Sequence, residues 1–143
     1  MSIIKVKYHV EDLERITVNE KGDWIDLRSA ETIDMRAGEY KIISLGISVK
    51  LPRGYEAHIV PRSSTFNRWG VLQTNSIGII DNSYCGENDI WGMPVLAMCD
   101  THIEKGDRIC QFRIVKKMDT VEIREVDHMS GADRGGFGST GSN

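Results

Sequence analysis

The sequence predicts an all-β fold in a single domain, because short apolar segments recur between turn signals along most of its 143 residues. Roughly eight to ten such segments at this spacing are typical of a sandwich, a barrel or a jelly roll. Segments with a helical period are almost absent, and no repeat of a longer period recurs. A chain of this length can bury a core without disulfides or a structural metal.

The predicted strands follow one another with short interruptions. The first, Ile3–Val10, alternates apolar and polar residues, which is the period of a half-buried strand. Lys41–Val49 has a strong β propensity and runs into a turn signal at Pro52-Arg53-Gly54. The remaining predicted strands are Tyr55–Val60, Val71–Gln73, Ile77–Ile80, Pro94–Cys99, Arg108–Lys116 and Thr120–Val126.

Two segments do not read as strands. Ser63–Trp69 is the best helix candidate, with Ser63 as its cap, and it is so short that it needs packing against the sheets. The tail is rich in glycine, which loses much backbone entropy on ordering. We therefore expect residues 1–129 to form the domain and residues 130–143 a flexible arm. A bare disordered terminus is the alternative, but Phe137 within the glycines favours a flap that orders over a ligand.

Composition excludes several classes of function. The net charge is −3 and the isoelectric point is about 5.8, which argues against a nucleic-acid-binding protein. No stretch approaches the ~20 apolar residues of a membrane span, and the N-terminus lacks a signal peptide. Three cysteines without close pairing suit reduced thiols. We expect a cytoplasmic protein that binds neither nucleic acid nor membranes.

Two polar clusters have residue types suited to phosphate chemistry. Asp81 ends an apolar stretch, and a carboxylate at a strand end can position and deprotonate water for attack on phosphorus. An Asp in an ordinary β-turn is the alternative, since Asp81-Asn82-Ser83 has good turn composition. Arg62, Ser63 and Ser64 offer a guanidinium and small hydroxyls, which are phosphate ligands, although many surface loops contain the same residues.

Five clusters in this order resemble the motifs of the trimeric dUTPases. They are Asp26-Leu27-Arg28, Pro61-Arg62-Ser63-Ser64, the run from Asn75 to Tyr84, Gly106 to Gln111, and Arg134 to Gly141. The resemblance covers the chain from about Gly22 to Gly141. It implies a distorted jelly roll of the dUTPase-like β-clip type. It also implies a homotrimer with shared active sites and a C-terminal arm, which splits dUTP into dUMP and pyrophosphate with Mg²⁺.

The resemblance also implies roles for single residues. Asp81 would orient the water that attacks the α-phosphorus, and Asp26 would hold Mg²⁺ through water. The substrate-binding residues that it implies are Arg62, Ser63, Ser64 and Gln111 for the phosphates, Asn75, Gly78, Ile79 and Ile80 for uracil, and Tyr84 for the deoxyribose. In the arm, Phe137 would stack on uracil, Arg134 would approach the γ-phosphate, and Gly138 and Ser139 would add donors.

Two departures from the family pattern leave alternatives open. Arg134 stands three residues before Phe137 rather than five, a spacing similar to that of a Bacillus and phage-like subgroup. The segment Gly86–Pro94 is unusually long, and its only aromatic residue, Trp91, is either a second lid over uracil or a core residue. Asp26 could equally be a strand-end Asp paired with Arg28.

Two other functions remain open at this point. A dCTP deaminase shares the fold and the phosphate cluster, and would need an acid such as Glu87 near the base. A phage-encoded dUTPase that regulates a repressor protein is the second alternative, with the unusual Gly86–Pro94 segment as the place to look.

Overall fold

The computed structural model describes residues 1–138 and confirms an all-β fold, with one short helix beside eleven strands in that range. Within it, no helix has the length and apolar character needed to cross a membrane. The elements are β1 (Lys5–Tyr8), β2 (Ile25–Arg28), β3 (Ile33–Met35), β4 (Tyr40–Ser44), β5 (Ile47–Lys50), β6 (Tyr55–Pro61), α1 (Thr65–Trp69), β7 (Val71–Gln73), β8 (Gly78–Ile80), β9 (Gly92–Ala97), β10 (Thr101–Ile103) and β11 (Arg108–Lys116).

The strands form four antiparallel sheets. The largest has the order β2-β11-β6-β8, the next has the order β4-β9-β7, and β1-β5 and β3-β10 are pairs. Strand β11, nine residues long, pairs with both β2 and β6. It therefore brings segments from the beginning, the middle and the end of the folded region side by side.

The core lies between these sheets and is built from alternating side chains. On β9, Met93, Val95 and Ala97 point inward and are fully buried. Trp91 is only 1% exposed, and its ring meets that of Phe112 edge-on with the centroids 5.2 Å apart. The hypothesis that Trp91 is a second lid is therefore wrong, and its alternative, a core residue, is confirmed.

The strand predictions are wrong in three ways. Lys41–Val49 is two strands, β4 and β5, because the chain breaks at Gly46, which has a φ of 68° that glycine adopts readily. Thr120–Val126 is not a strand, since residues 117–138 contain none and are exposed. Strands β2, β3 and β10 were missed because each has only three or four residues, one of which is Asp or His, so the local β signal is weak.

The helix begins later than predicted, at Thr65. Ser64 is its N-cap and makes no side-chain cap hydrogen bond, so a cap at Ser63 is wrong. Instead, the Thr65 hydroxyl accepts the Arg62 N–H at 2.8 Å and donates to the Ile109 carbonyl at 2.9 Å. This buried Thr fixes the turn from β6 into α1 against β11.

Candidate active site

A first group of polar residues lies at the Pro61 end of β6, and we call Asp26, Arg62, Arg108 and Gln111 the Asp26 cluster. The Asp26 carboxylate is 31% exposed and forms ion pairs with two arginines. Arg62 Nε lies 3.1 Å from its Oδ1, and Arg108 Nη1 lies 3.3 Å from its Oδ2. Gln111 stands opposite Asp26 in one ladder and Val60 in the other, and its Nε2 donates to the Pro61 carbonyl at 3.2 Å.

The surroundings of this cluster suit an anionic ligand. Ser63 and Ser64 follow Arg62 directly, and their hydroxyls have no hydrogen-bond partner within residues 1–138. A cleft of about 400 Å³ opens beside Asp26 and Arg108. Asp26 and Arg108 line this cleft, whereas Arg62, Ser63 and Ser64 are outside its lining. Guanidinium groups and free hydroxyls of this kind can bind the oxygens of a phosphate chain.

The alternative pairing of Asp26 with Arg28 is wrong. Arg28 instead lies 3.3 Å from Glu14 and donates to the Gly106 carbonyl at 2.7 Å. Arg108 does pair with Asp26. It is not among the predicted site residues, although it lies within the motif from Gly106 to Gln111. Only the register of β11 against β2, which is irregular between Arg108 and Cys110, brings it there.

Asp26 is the one carboxylate of this cluster. The described part of the chain contains no group of three or more His, Cys, Asp or Glu arranged to hold a metal ion. Mg²⁺ keeps several waters and takes other ligands from substrate phosphates, so it does not need a cage of carboxylates. The donor set at Asp26 therefore fits Mg²⁺ bound together with a polyphosphate.

A second group lies on the turn that follows β7 together with strand β8, which we call the 75–80 segment. The two strands do not form a hairpin, because β7 pairs with β9 and β8 pairs with β6. Gly78 pairs with Ile59 of β6, and a Cβ at Gly78 would lie 3.2 Å from the Ile59 Cβ and 3.6 Å from Asn75 Nδ2. A larger residue at this position would thus crowd both neighbours. Ile79 is 56% exposed, whereas Ile80 is half-buried. Asn75, Gly78, Ile79 and Ile80 thus lie close together in the 75–80 segment.

Asp81 follows the 75–80 segment directly and is exposed. Its Oδ2 accepts the Ser83 N–H at 3.0 Å and also the Ser83 hydroxyl, while its Oδ1 has no partner in residues 1–138. The Ser83 hydroxyl, followed by the Ser83 N–H and the positive charge of Lys117, lowers the pKa of Asp81. The carboxylate is therefore ionised at neutral pH and keeps one oxygen open.

Tyr84 completes this turn. Its N–H donates to the Asp81 carbonyl at 3.0 Å, and its ring is 41% exposed. The Tyr84 hydroxyl lies 3.4 Å from the Ile90 carbonyl. Tyr84 is thus tied to Asp81 through the backbone, and its side chain remains partly exposed.

Asp81 and the Asp26 cluster lie toward opposite ends of β6, while Gly78 pairs with Ile59 in the middle of the strand. Ile80, just before Asp81, pairs with Ala57, whereas Arg62 follows the far end of the strand. The five residue steps from Ala57 to Arg62 span about 16 Å at the usual rise of a strand. One chain therefore presents the Asp26 cluster and Asp81 on separate parts of its surface.

The arm residues are not brought to either group. Arg134, Phe137 and Gly138 are exposed, and Phe137 has a φ of 45°. None of the three forms a hydrogen bond or an ion pair with another residue of the range 1–138. Ser139 lies outside the described residues.

Similar proteins point to one family. The dUTPase family model matches residues 15–141. The SPbeta prophage-derived deoxyuridine 5'-triphosphate nucleotidohydrolase of Bacillus subtilis is 57% identical over 139 residues, which cover 97% of this chain and 98% of that protein. A deoxyuridine 5'-triphosphate nucleotidohydrolase of Finegoldia magna is 37% identical and covers 87% of each chain.

Solved structures agree on the fold. The dUTPase of Staphylococcus bacteriophage 80alpha with dUpNHpp superposes with a TM-score of 0.81 at 22% identity, covering 98% of this chain and 99% of that one. A mutant dUTPase of the S. aureus phage phi11, described with a structural Mg(II) ion, has a TM-score of 0.72 at 21% identity and covers 88% and 97%. The all-β chain thus has the jelly-roll fold of these phage enzymes.

Proposed function

The chain belongs to the dUTPase family, and on that basis we propose that it hydrolyses dUTP to dUMP and pyrophosphate. The observation that supports this most is that the Asp81 carboxylate is ionised and exposed directly after the 75–80 segment. Ser83 holds its Oδ2, while Oδ1 is without a partner among residues 1–138. A carboxylate oxygen in this state can accept a hydrogen bond, and then a proton, from water.

In the proposed reaction, water attacks the α-phosphorus. The new bond joins the water oxygen to this phosphorus, and the bond from the α-phosphorus to the bridging oxygen of the β-phosphate breaks. The proton of the water passes to Asp81, and pyrophosphate leaves with the bridging oxygen. Asp81 contributes the position of the water and a base for its proton, while positioning together with electrostatic stabilisation is the main protein contribution to such a transfer.

The Asp26 cluster is the proposed site for the phosphates. Arg62 would bind phosphate oxygens through its guanidinium, and Ser63, Ser64 and Gln111 would donate further hydrogen bonds. In the unliganded chain, the Arg62 guanidinium already donates to Asp26 and to the Arg108 carbonyl, at 3.1 and 3.2 Å. Asp26 would hold Mg²⁺ through water, and the metal would supply neutralisation of the phosphate charge.

The 75–80 segment is the proposed site for uracil, and Tyr84 the proposed contact for the sugar. Asn75 and the backbone of Gly78, Ile79 and Ile80 would hydrogen-bond the edge of the base. The close approach of Gly78 to Ile59 supports a narrow site, which would exclude the methyl group of thymine. The Tyr84 ring, held beside Asp81, would pack on the deoxyribose and leave no room for a 2′-hydroxyl.

We propose a homotrimer in which each site is shared between copies. The separation of about 16 Å along β6 supports this, since a second copy can bring its Asp26 cluster to the Asp81 of the first. Exposed apolar residues supply surface to cover. On the three-stranded sheet, Tyr40 and Ile42 are both 59% exposed and Leu72 is 44% exposed, and Tyr40 and Leu72 both pair with Leu96.

We also propose that residues 1–129 form the domain and that residues 130–143 act as the arm that closes the site. Arg134, Phe137, Gly138 and Ser139 would then reach a nucleotide bound elsewhere in the assembly. The full exposure of Phe137 supports an arm that takes its position only with a ligand. Closure of such a lid excludes water and strengthens the charge interactions inside.

The deaminase alternative has less support. Glu87, its candidate base, forms an ion pair with Lys7 of β1, so its carboxylate is paired there and not with the 75–80 segment. A repressor protein is a further proposed partner if the chain is phage-encoded. A prophage relative and a phage 80alpha dUTPase said to control transfer of virulence genes by a G protein-like mechanism support testing it, by mixing the purified protein with host repressors.

Product analysis tests the proposed activity. The purified protein is incubated with Mg²⁺ and either dUTP or dCTP, and dUMP, pyrophosphate and ammonia are measured. Release of dUMP and pyrophosphate from dUTP is expected, with no ammonia from dCTP. Asp81→Asn, which keeps the shape and removes the base, should lower turnover by about 10²–10⁴-fold. Ammonia from dCTP without hydrolysis of dUTP would overturn the proposal.

A further inference from the structure

The side chain of Asn82 joins two turns that are far apart in sequence. Its Nδ2 donates to the Pro52 carbonyl at 2.9 Å and to the Tyr55 carbonyl at 2.8 Å. These two carbonyls bracket one turn, because the Tyr55 N–H itself donates to the Pro52 carbonyl at 3.2 Å. Asn82 is half-buried, so both protons of its amide nitrogen are used in a partly dry environment.

This link matters because Asn82 lies between Asp81 and the residue that holds Asp81. The Ser83 hydroxyl and N–H fix the Asp81 carboxylate within the turn, which makes residues 81–83 one small unit. On one side the unit continues into β8, whose Ile80 pairs with Ala57. Among the described residues, the Asn82 amide supplies the only hydrogen bonds from residues 81–83 to a distant part of the chain.

The turn that receives Asn82 is itself well defined. Gly54 within it has a φ of 83°, a conformation that glycine adopts readily. The Gly54 carbonyl accepts the Lys117 N–H at 2.9 Å, at the point where the chain leaves β11. The anchor of the Asp81 turn is therefore tied to two strands of the central sheet, β6 and β11.

We propose that Asn82 is a positioning residue for Asp81, holding the turn so that the open Oδ1 faces the attacking water. This inference rests on the proposed hydrolysis of dUTP. Only a side chain with two N–H donors on one atom can satisfy both carbonyls. An Asp of the same shape would offer no donor when ionised and would face two carbonyl oxygens with a negative charge.

The test compares Asn82→Asp and Asn82→Ala with the wild type in dUTP hydrolysis. Small displacements of a catalytic group cost up to about 10²-fold in rate, so kcat should fall by about 10- to 100-fold in both variants. The KM for dUTP and the Kd of a non-hydrolysable dUTP analogue should change by less than about threefold. The hydrogen bonds of the Asn82 side chain go to the carbonyls of Pro52 and Tyr55, and not to the 75–80 segment or the Asp26 cluster. A merely structural residue would move KM, Kd and the thermal midpoint together.

Asn88→Asp is the matched control, because it adds the same charge to the segment after Tyr84 at an exposed position. It should keep the wild-type kcat. If Asn82→Asp does not fold, Asn82→Ala carries the comparison, as it removes the amide without adding charge. Wild-type kcat in the Asn82 variants, or equal losses in kcat and analogue binding, would overturn the inference while the hydrolysis stands. An inactive wild-type protein would overturn the proposed function and this inference with it.

Discussion

Subunit complementation between Arg62→Ala and Asp81→Asn follows from the geometry of β6. Ala57 and Arg62 lie about 16 Å apart along the strand, and Asp81 lies beyond Ala57. If each site takes its phosphate cluster from one copy and Asp81 from another, a random mixture in equal amounts restores some sites. Each contributing copy carries the required residue half of the time, so about a quarter of the sites are free of both lesions.

The assay mixes the two inactive proteins under conditions of subunit exchange and measures pyrophosphate release per site. Recovery of about a quarter of wild-type turnover is expected. Arg62→Ala mixed with Asp26→Ala is the matched control, because these residues contact each other in one chain at 3.1 Å. Those two lesions fall in the same cluster, so that mixture should show no more turnover than the two variants show separately. No recovery in the first mixture after confirmed exchange, or a monomeric native mass, would refute shared sites.

Four further outcomes are expected. Ser83→Ala removes the largest cause of the lowered Asp81 pKa, so that pKa should rise and the acid limb of the kcat/KM profile should move to higher pH; an unmoved limb would show that Ser83 does not tune Asp81. Asp26→Ala should weaken the dependence on Mg²⁺ without unfolding the protein, and excess chelator should abolish wild-type turnover, which full activity in chelator would contradict. Truncation after Met129 should leave the thermal midpoint nearly unchanged but strongly reduce hydrolysis, and full activity of the truncated protein would remove the arm from the mechanism. Trp91→Ala should cost about 3–5 kcal/mol in the free energy of unfolding, measured by urea denaturation, while the folded fraction keeps its kcat; a small loss of stability with a large loss of kcat would return Trp91 to the site.

The strands that the sequence predicts well are those with a complete local signal. Val71–Gln73 and Arg108–Lys116 match β7 and β11 residue for residue, since each combines a β-rich run with glycine or aspartate at its borders. Thr120–Val126 has a similar β-rich composition but pairs with no other strand among residues 1–138. A strand must hydrogen-bond to the edge of a neighbouring strand, and the alternation of apolar and polar residues does not show whether such an edge lies nearby.

The candidate site was predictable as a set of residue types but not as two groups. Asp81 and Arg62 carry recognisable motifs, yet their separation depends on the register of β6 with β8 and β11. Asn82 was predictable only as a turn residue, because its partners at Pro52 and Tyr55 depend on tertiary structure, whereas the contact of Ser83 with Asp81 is local to the turn. The roles of the substrate-binding residues stay predictions.

The most direct measurement of the central claim follows the fate of the attacking oxygen. The wild-type protein hydrolyses dUTP with Mg²⁺ in water enriched in the heavy oxygen isotope, and both products are analysed by mass spectrometry. Attack at the α-phosphorus predicts one heavy oxygen in dUMP and none in pyrophosphate, and Asp81→Asn should slow its appearance by about 10²–10⁴-fold. Label in pyrophosphate, or labelling of dUMP at the wild-type rate in Asp81→Asn, would contradict the account.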